Sequence, residues 1–305
     1  MARNKNAIRN GSLFWDVVIY TFLGLLAIVF LYPLYQVFVC SISDPSTVMT
    51  KNSLVLFPVG VHWGAYEIVF NNPFILSGFK NTLLYMAIGT SLSFFMTLIL
   101  AYPLSIPNLT GKKAVIIFFT IPMYFGGGLI PFYLLLTKMK MLNTIWVLTI
   151  PGCVSFWNSV IMRTQFNSIP AGLREAAVID GAGDGTILFR IMLPLSGAVS
   201  AVLILFSVVG FWNMWFEPML YLTKRNMYPI QSVLREILIE ETSTLTQGAN
   251  RNGQVKLLRD NPDMRAVNQL IKYSTIIVTT VPILCVYPFA QRYFVKGVMI
   301  GSLKG

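Results

Sequence analysis

Glu175-Ala176-Ala177-Val178-Ile179-Asp180-Gly181-Ala182-Gly183, running on to Arg190-Ile191-Met192-Leu193-Pro194, is a short polar interruption between two long apolar runs. It decides the fold because almost everything around it belongs in hydrocarbon. Of 305 residues, 55% are hydrophobic and 11% charged, with a mean hydropathy of +0.66. An ordinary soluble domain carries roughly 25% charged residues. A soluble enzyme of this length needs more polar surface, so the composition indicates an all-α, polytopic membrane protein.

Outward from that interruption, six runs meet or approach the ~20 apolar residues that cross a bilayer. They are 15–41, 79–105, 114–137, 144–162, 192–215 and 272–292. The third contains Ile121-Pro122, Gly126-Gly127-Gly128 and Pro131, which predict a kinked or interrupted helix sheltered by protein or a cavity. The fourth is the weakest, with Trp157, Asn158 and Ser159 in its second half. Arg3, Lys5 and Arg9 precede an apolar run from Val17 to Val39. That run is too long for a signal peptide and lacks a small-residue cleavage site, which predicts a retained first span.

The basic residues set the expected orientation. With the N-terminus inside, the inner segments carry Arg3, Lys5, Arg9, Lys112, Lys113, Arg163, Arg174, Arg190, Arg292, Lys296 and Lys304. The short outer segments hold Lys51, Lys80, Lys138 and Lys140. This asymmetry predicts a multi-pass membrane protein with both termini on the cytoplasmic side. Residues 1–14 are then a cytoplasmic arm and 15–305 a transmembrane domain. Within it lie an external loop 42–78, a cytoplasmic loop 163–191, an external excursion 217–271 and a cytoplasmic tail 292–305. The net charge of +11 is spread through loops, as anchors against anionic lipid rather than a nucleic-acid surface.

In the first external loop, Trp63–Phe70 is expected to form a short helix along the interface, among Pro45, Pro58, Tyr66 and Pro73. In the excursion, Pro229 can start a helix carrying Ile230, Val233, Leu234, Ile237 and Leu238 at helical spacing. The stretch from Glu240 to Asp263 reads as turn-rich. The excursion is either a docking surface for an external partner or a lid over the bundle.

The cytoplasmic loop carries its own helix signals. Ser168 is the expected N-cap of a first short helix, with Pro170 in its first turn. Asp180-Gly181 is the expected stop, with glycine in the left-handed conformation. Asp184 is expected to cap a second short helix through Thr186 and Arg190, and Pro194 to mark the start of the next span. Two short helices meeting at a glycine elbow make a rigid knob that transmits a push to both flanking spans. A re-entrant connection of no special function is the bland alternative. Glu175, Asp180 and Asp184 are read as caps and as salt-bridge partners of Arg174 and Arg190. No metal or catalytic site is expected, since the one histidine, His62, is far away in sequence. Cys40, Cys153 and Cys285 fall in separate apolar runs and read as small buried hydrophobes.

The spacing Glu-Ala-Ala, two residues, Asp-Gly-Ala, then Phe189-Arg190-Ile191 and Leu193-Pro194, resembles the cytoplasmic "EAA" loop of binding-protein-dependent, ATP-driven (ABC) importers. The nearer match is to permease subunits of carbohydrate-uptake systems, similar to the second membrane subunit of maltose-type importers. Phe211-Trp212-Asn213, Asn81-Thr82 and the tail Gln291 through Gly305 support it, and the resemblance covers essentially the whole chain. The long excursion with Tyr228-Pro229-Ile230-Gln231 looks closer to permeases of complex or polysaccharide-derived sugars, including alginate-type importers. Gly183-Asp184-Gly185 departs from relatives, where bulkier residues are common, and would loosen the second short helix.

The resemblance implies a type I ABC importer permease fold with six transmembrane helices and a cytoplasmic coupling helix seated in a groove of an ATPase. Glu175, Ala176, Ala177, Asp180, Gly181, Gly183 and Arg190 would carry that coupling. It also implies the partners: two ATPase subunits, a second and different permease subunit, and an extracytoplasmic sugar-binding protein delivering an oligosaccharide. No Gly-x-x-x-x-Gly-Lys-Ser/Thr loop occurs in the chain, so ATP and Mg belong to the partner ATPases and this chain binds no cofactor. Candidates for the sugar path are Asn81, Tyr124, Trp157, Asn158, Phe211, Trp212, Asn213 and Trp215, each with helix packing or the interfacial aromatic belt as its bland alternative. The competing reading of the whole chain is an ATP-independent secondary transporter of a small polar solute. That class needs intramembrane ionisable residues or inverted repeats, and the spans offer almost none beyond Asp16.

Overall fold

The computed structural model describes residues 5–45, 48, 55–246 and 262–302. Its regular structure there is helical throughout. Three helices are long and apolar enough to cross a membrane. They are α1 (Lys5–Ile42), α3 (Pro73–Ser105) and the C-terminal α13 (Pro262–Ser302). The short α2 (Gly64–Asn71) lies between the first two, close to the expected Trp63–Phe70. The helix α3 starts earlier than the Phe79 expected. Asn72 Oδ1 accepts the Phe74 N–H at 2.9 Å, and Pro73 occupies the first helical position, where its missing donor costs nothing.

The other three expected spans are not continuous, so the described residues hold three helices long and apolar enough to cross, or up to five if each bent pair is one span. The 114–137 run is α4 (Lys112–Tyr124) and α5 (Leu129–Lys138), bent by 115°. Pro122 weakens the end of α4, and Gly128 takes φ +84 just before α5. The 144–162 run divides into α6 (Trp146–Thr149) and α7 (Phe156–Ser168) around Pro151-Gly152. The 192–215 run does not start at Pro194. Instead α9 (Asp184–Leu195) carries a π-helical turn at Leu188–Met192 and meets α10 (Gly197–Trp212) at 88°. Pro194 cannot donate to the helix, and at Ser196 the N–H is shared between the carbonyls of Met192 and Leu193 at 3.1 Å each.

One more expectation needs correction. Glu240–Thr244 is not turn-rich, because α12 runs from Ile230 to Thr246. No glycine or proline lies between Ile230 and Gln247, so nothing stops propagation. The tail from Arg292 is helical to Ser302 as the continuation of α13. Lys51, Lys304, the Asp260-Asn261 turn and the last residues to Gly305 lie outside the described residues.

The chain forms two compact units, Met1–Asn71 with Ile237–Thr280 and Asn72–Glu236 with Val281–Gly305. In the first, Val39, Cys40, Val48 and Val55 form a small core against Tyr273. Ser41 and Tyr66 hydroxyls meet at 2.6 Å. The apolar window of α1 is 0% buried, a surface suited to lipid or to a neighbouring subunit. In the second unit, α3 is the central helix. Its Leu98, Ala101 and Tyr102 share one core with Met162 and Phe166 of α7, Ile187, Leu188 and Met192 of α9, and Leu203 of α10. Small residues let apolar helices approach closely in a membrane. At Gly89 of α3 the Phe211 ring fills the space a Cβ would need, 2.0 Å from its position. Cys40 and Cys153 are buried as expected, but Cys285 is exposed.

Candidate functional site

The polar interruption folds into a helical elbow. After α7, Ile169 and Pro170 are extended, and α8 spans Ala171–Ile179. Its N-cap is Pro170, not Ser168, and makes no side-chain cap. Ser168 closes α7 instead, its hydroxyl donating to the Gln165 carbonyl at 2.7 Å. At the other end the sequence expectation holds in detail. Gly181 takes φ +78, its N–H reaches the Val178 carbonyl at 3.0 Å, and the Ala182 N–H reaches the Ala177 carbonyl at 2.9 Å. This is the paired bonding of a Schellman cap, in which a left-handed glycine satisfies the last carbonyls.

Beyond the elbow, Gly183 caps α9, and Asp184 is its first residue rather than its cap. The carboxylate of Asp184 accepts a hydrogen bond from the Tyr102 hydroxyl at 2.8 Å. The extra glycines do not loosen this segment, which is helical from Asp184; the irregular turn comes later, at Leu188–Met192. Among the described residues no ion pair joins Arg174 or Arg190 to Glu175, Asp180 or Asp184.

The elbow therefore has an anchored side and a free side. Ala177 is buried in the core shared with α3 and α7, where its small side chain allows close approach. Glu175, Ala176, Asp180, Gly181, Gly183 and Arg190 are exposed. Ile179 is 85% exposed, with Leu173 and Val178 also uncovered. A neighbouring groove of about 630 Å³ is bordered by Ile106, Asn108, Arg174 and Glu175. Three uncovered apolar side chains on one nine-residue helix, Leu173, Val178 and Ile179, make a surface suited to another protein.

A second recess, of about 720 Å³, lies near the other end of α10. The helix stops at Trp212, Asn213 caps it through its N–H to the Val209 carbonyl at 3.0 Å, and α11 (Phe216–Tyr221) follows. This break turns Asn213, Trp215, Phe216 and Glu217 toward the recess, which Phe211, Asn158, Ser93, Ser155 and Ser207 complete. Ser155 Oγ accepts the Asn158 N–H at 3.3 Å and so starts α7. The Trp215 ring is held from α12, with the Arg235 guanidinium 3.7 Å above it. Its carbonyl also accepts the Ser232 hydroxyl at 3.1 Å.

Four of the eight expected path residues, Asn158, Phe211, Asn213 and Trp215, thus meet at one recess. The others do not. Tyr124 (72% exposed) and Trp157 (60% exposed) face outward. Trp212 is 5% exposed and lies 6.3 Å from the Phe79 ring. Sequence reading missed Glu217 and the three serines. Glu217 was findable, as a carboxylate two residues beyond an aromatic in an otherwise uncharged segment.

Asn81 has a structural role. Its amide donates to the carbonyls of Asn226 at 2.7 Å and Tyr228 at 3.1 Å. The Tyr85 hydroxyl donates to Met227 at 2.7 Å, and Thr82 Oγ1 accepts the Ile230 N–H at 2.9 Å. Burial lifts the Tyr228 phenol above its ordinary range, with Glu236 adding to the shift and Arg225 opposing it, so it remains a donor, to the Leu222 carbonyl at 3.3 Å. Together these bonds clamp the 225–230 segment onto α3. Asn81→Ala is expected to cost about 1–2 kcal/mol locally and to speed amide hydrogen exchange at 225–230. Unchanged exchange there would show that the clamp does not depend on Asn81.

No protein-family model matches the chain. It is 34% identical over 291 residues to the polygalacturonan/rhamnogalacturonan transport system permease protein YtcP of Bacillus subtilis (strain 168), covering 95% of this chain and 98% of that protein. A solved bacterial ABC transporter involved in import of the acidic polysaccharide alginate contains a chain with TM-score 0.81 and 27% identity, covering 93% of this chain and 98% of that one. A second alginate transporter structure, in complex with a periplasmic protein bound to alginate pentasaccharide, shares the fold at TM-score 0.56 and 15% identity, with 94% and 96% coverage.

Proposed function

Because the chain belongs to the membrane-permease subunits of carbohydrate-uptake ABC importers, we propose that the Glu175–Arg190 elbow seats the ATPase and that the Trp215 recess is this chain's share of the sugar path. The protein is a transmembrane half of an oligosaccharide importer, a non-enzymatic subunit of a multi-pass bacterial membrane assembly that works with an ATPase and an extracytoplasmic binding protein. Family membership displaces the secondary-transporter alternative. Two ATPase subunits close on ATP, draw the elbows together and turn the recess outward; hydrolysis resets it. The partner permease is a different chain, the bent pairs and the α6–α7 segment complete six crossings, and both termini are cytoplasmic. The cargo is an oligosaccharide derived from a polysaccharide, the class shared by the named relatives.

The observation that carries this reading is Ile179, an apolar side chain 85% exposed beside a Schellman-capped elbow. In the recess, Trp215 and Phe211 offer aromatic faces, and Asn158, Asn213 and Glu217 offer hydrogen-bonding groups for sugar hydroxyls. Ile179→Asp and Glu175→Lys are each expected to remove about 2 kcal/mol or more of ATPase binding, as truncation of a central contact does. The measurement is co-purification of the ATPase from detergent-solubilised membranes. Equal recovery from both variants and the wild type would reject the seat.

A further inference from the structure

Most polar side chains of the elbow point into solvent, but Asp184 is bonded to a residue 82 positions earlier. Tyr102 is buried in the shared core, its ring 6.3 Å from Phe166 and edge-on at 82°. Its hydroxyl lies 2.8 Å from Asp184 Oδ1. The tyrosine itself is held: Ser105 Oγ donates to its carbonyl at 2.6 Å, and the chain then leaves the helix, Ile106 N–H closing on the Pro103 carbonyl at 3.0 Å. On the other side, Asp184 is the first residue of α9, just past the capped elbow, and α9 leads through the 88° bend into α10.

We propose that the Tyr102–Asp184 hydrogen bond is a strut that carries elbow displacement into α3, making Tyr102 a positioning residue for ATP-driven opening. The inference rests on the reading of the elbow as the ATPase seat. The geometry supplies two routes from elbow to recess. One runs along α9 and α10 to Phe211 and Asn213, but it crosses the bend at Ser196 and a π-helical turn, where motion is absorbed. The other crosses the strut into α3 and reaches Ser93 of the recess after nine helical residues, about 14 Å. Between those two positions α3 is one continuous helix, although Pro103 leaves the Ile99 carbonyl without its helical donor. A bond between a phenol and a carboxylate is short, directional and roughly twice as strong as one between neutral groups, which suits a contact that transmits force. The apolar contacts around it hold the elbow in place, but they can slide.

The test uses the complete transporter reconstituted in nanodiscs. A fluorophore on a cysteine at Ser207 reports the recess, in a Cys285→Ser background because Cys285 is exposed. The probe is Mg-AMP-PNP together with the binding protein. Tyr102→Phe and Asp184→Ala are expected to cut the fluorescence response about ten-fold, as loss of a charge-assisted hydrogen bond would, and Tyr102→Phe, which alters no residue of the elbow, is expected to leave ATPase co-purification unchanged. Asp184→Asn keeps an acceptor oxygen and is expected to restore most of the response. The double variant Tyr102→Phe/Asp184→Ala is expected to be no worse than either single one. A wild-type response in Tyr102→Phe, additive losses in the double variant, or a lowered melting temperature with an unchanged response would each overturn the strut. Glu175→Lys serves as the control: if it keeps both ATPase and response, the seat itself is wrong, whereas a failed strut leaves the Glu175→Lys defect in place.

Discussion

Valine at Gly181 is expected to abolish sugar uptake by the complete transporter and to strip the ATPase from the purified subunit, while leaving membrane insertion intact. The cause is conformational. Gly181 has φ +78, and a Cβ built there meets nothing within 4 Å, so no clash obscures the reading. The left-handed conformation costs an ordinary L-residue about 1–2 kcal/mol, and a β-branched residue is a genuine outlier there. The valine variant escapes by unwinding the cap, which gives up the Gly181–Val178 and Ala182–Ala177 bonds. Ile179 and Glu175 then leave their places on the elbow. Asparagine tolerates this conformation, so Gly181→Asn is expected to keep most of the uptake and the ATPase. If valine and asparagine behave alike, the elbow's cap is not what positions the seat.

Alanine at Gly89 is expected to close the recess from behind. Its Cβ would lie 2.0 Å from Phe211 Cζ and 2.5 Å from the two neighbouring ring atoms, a contact no real structure sustains. Either α3 and α10 separate, at the roughly 1–3 kcal/mol that overpacking costs, or the ring swings away. The ring also lines the recess, so displacement takes volume from the proposed sugar path. Uptake is expected to fall at least about ten-fold with the ATPase still bound, since the elbow is untouched. Phe211→Ala in the same chain removes the collision and is expected to recover part of that loss. A Gly89→Ala variant with full uptake would show that Phe211 has room elsewhere and does not bound the path. A double variant no better than Gly89→Ala would show that the ring's position is not the cause.

These two glycines differ in how far they could be read in advance. Gly181 is legible from its neighbours, because an Asp-Gly at the end of a helical stretch points to a local left-handed cap, and local geometry is encoded locally. Gly89 is not, since its partner Phe211 comes from another helix and only packing brings the ring to it. Asp184 shows the same limit. Adjacent residues suggested a helix cap, but the backbone leaves that role to Gly183 and the carboxylate is bonded to Tyr102. Asn81 was read as a candidate for the sugar path, but its amide is taken up by the carbonyls of Asn226 and Tyr228, which come from far along the chain. Where the apolar runs are interrupted was hidden in part for a related reason. Hydropathy registers how many apolar residues a run contains, whereas bends at Gly128, Pro151-Gly152 and Ser196 depend on which backbone groups find partners.

By itself, the sequence determined the membrane class, the helical architecture, the elbow and its glycine stop, and the helix that begins after Pro229. All of these follow from composition, periodicity and short-range backbone chemistry. Only the tertiary structure decided which face of the elbow is anchored and which is free. It also decided that Glu217 and three serines join Asn158, Phe211, Asn213 and Trp215 around one recess, and that Tyr102 reaches Asp184. Those arrangements depend on helices distant in the chain meeting side by side, and the residues at such contacts carry no local mark of their partners.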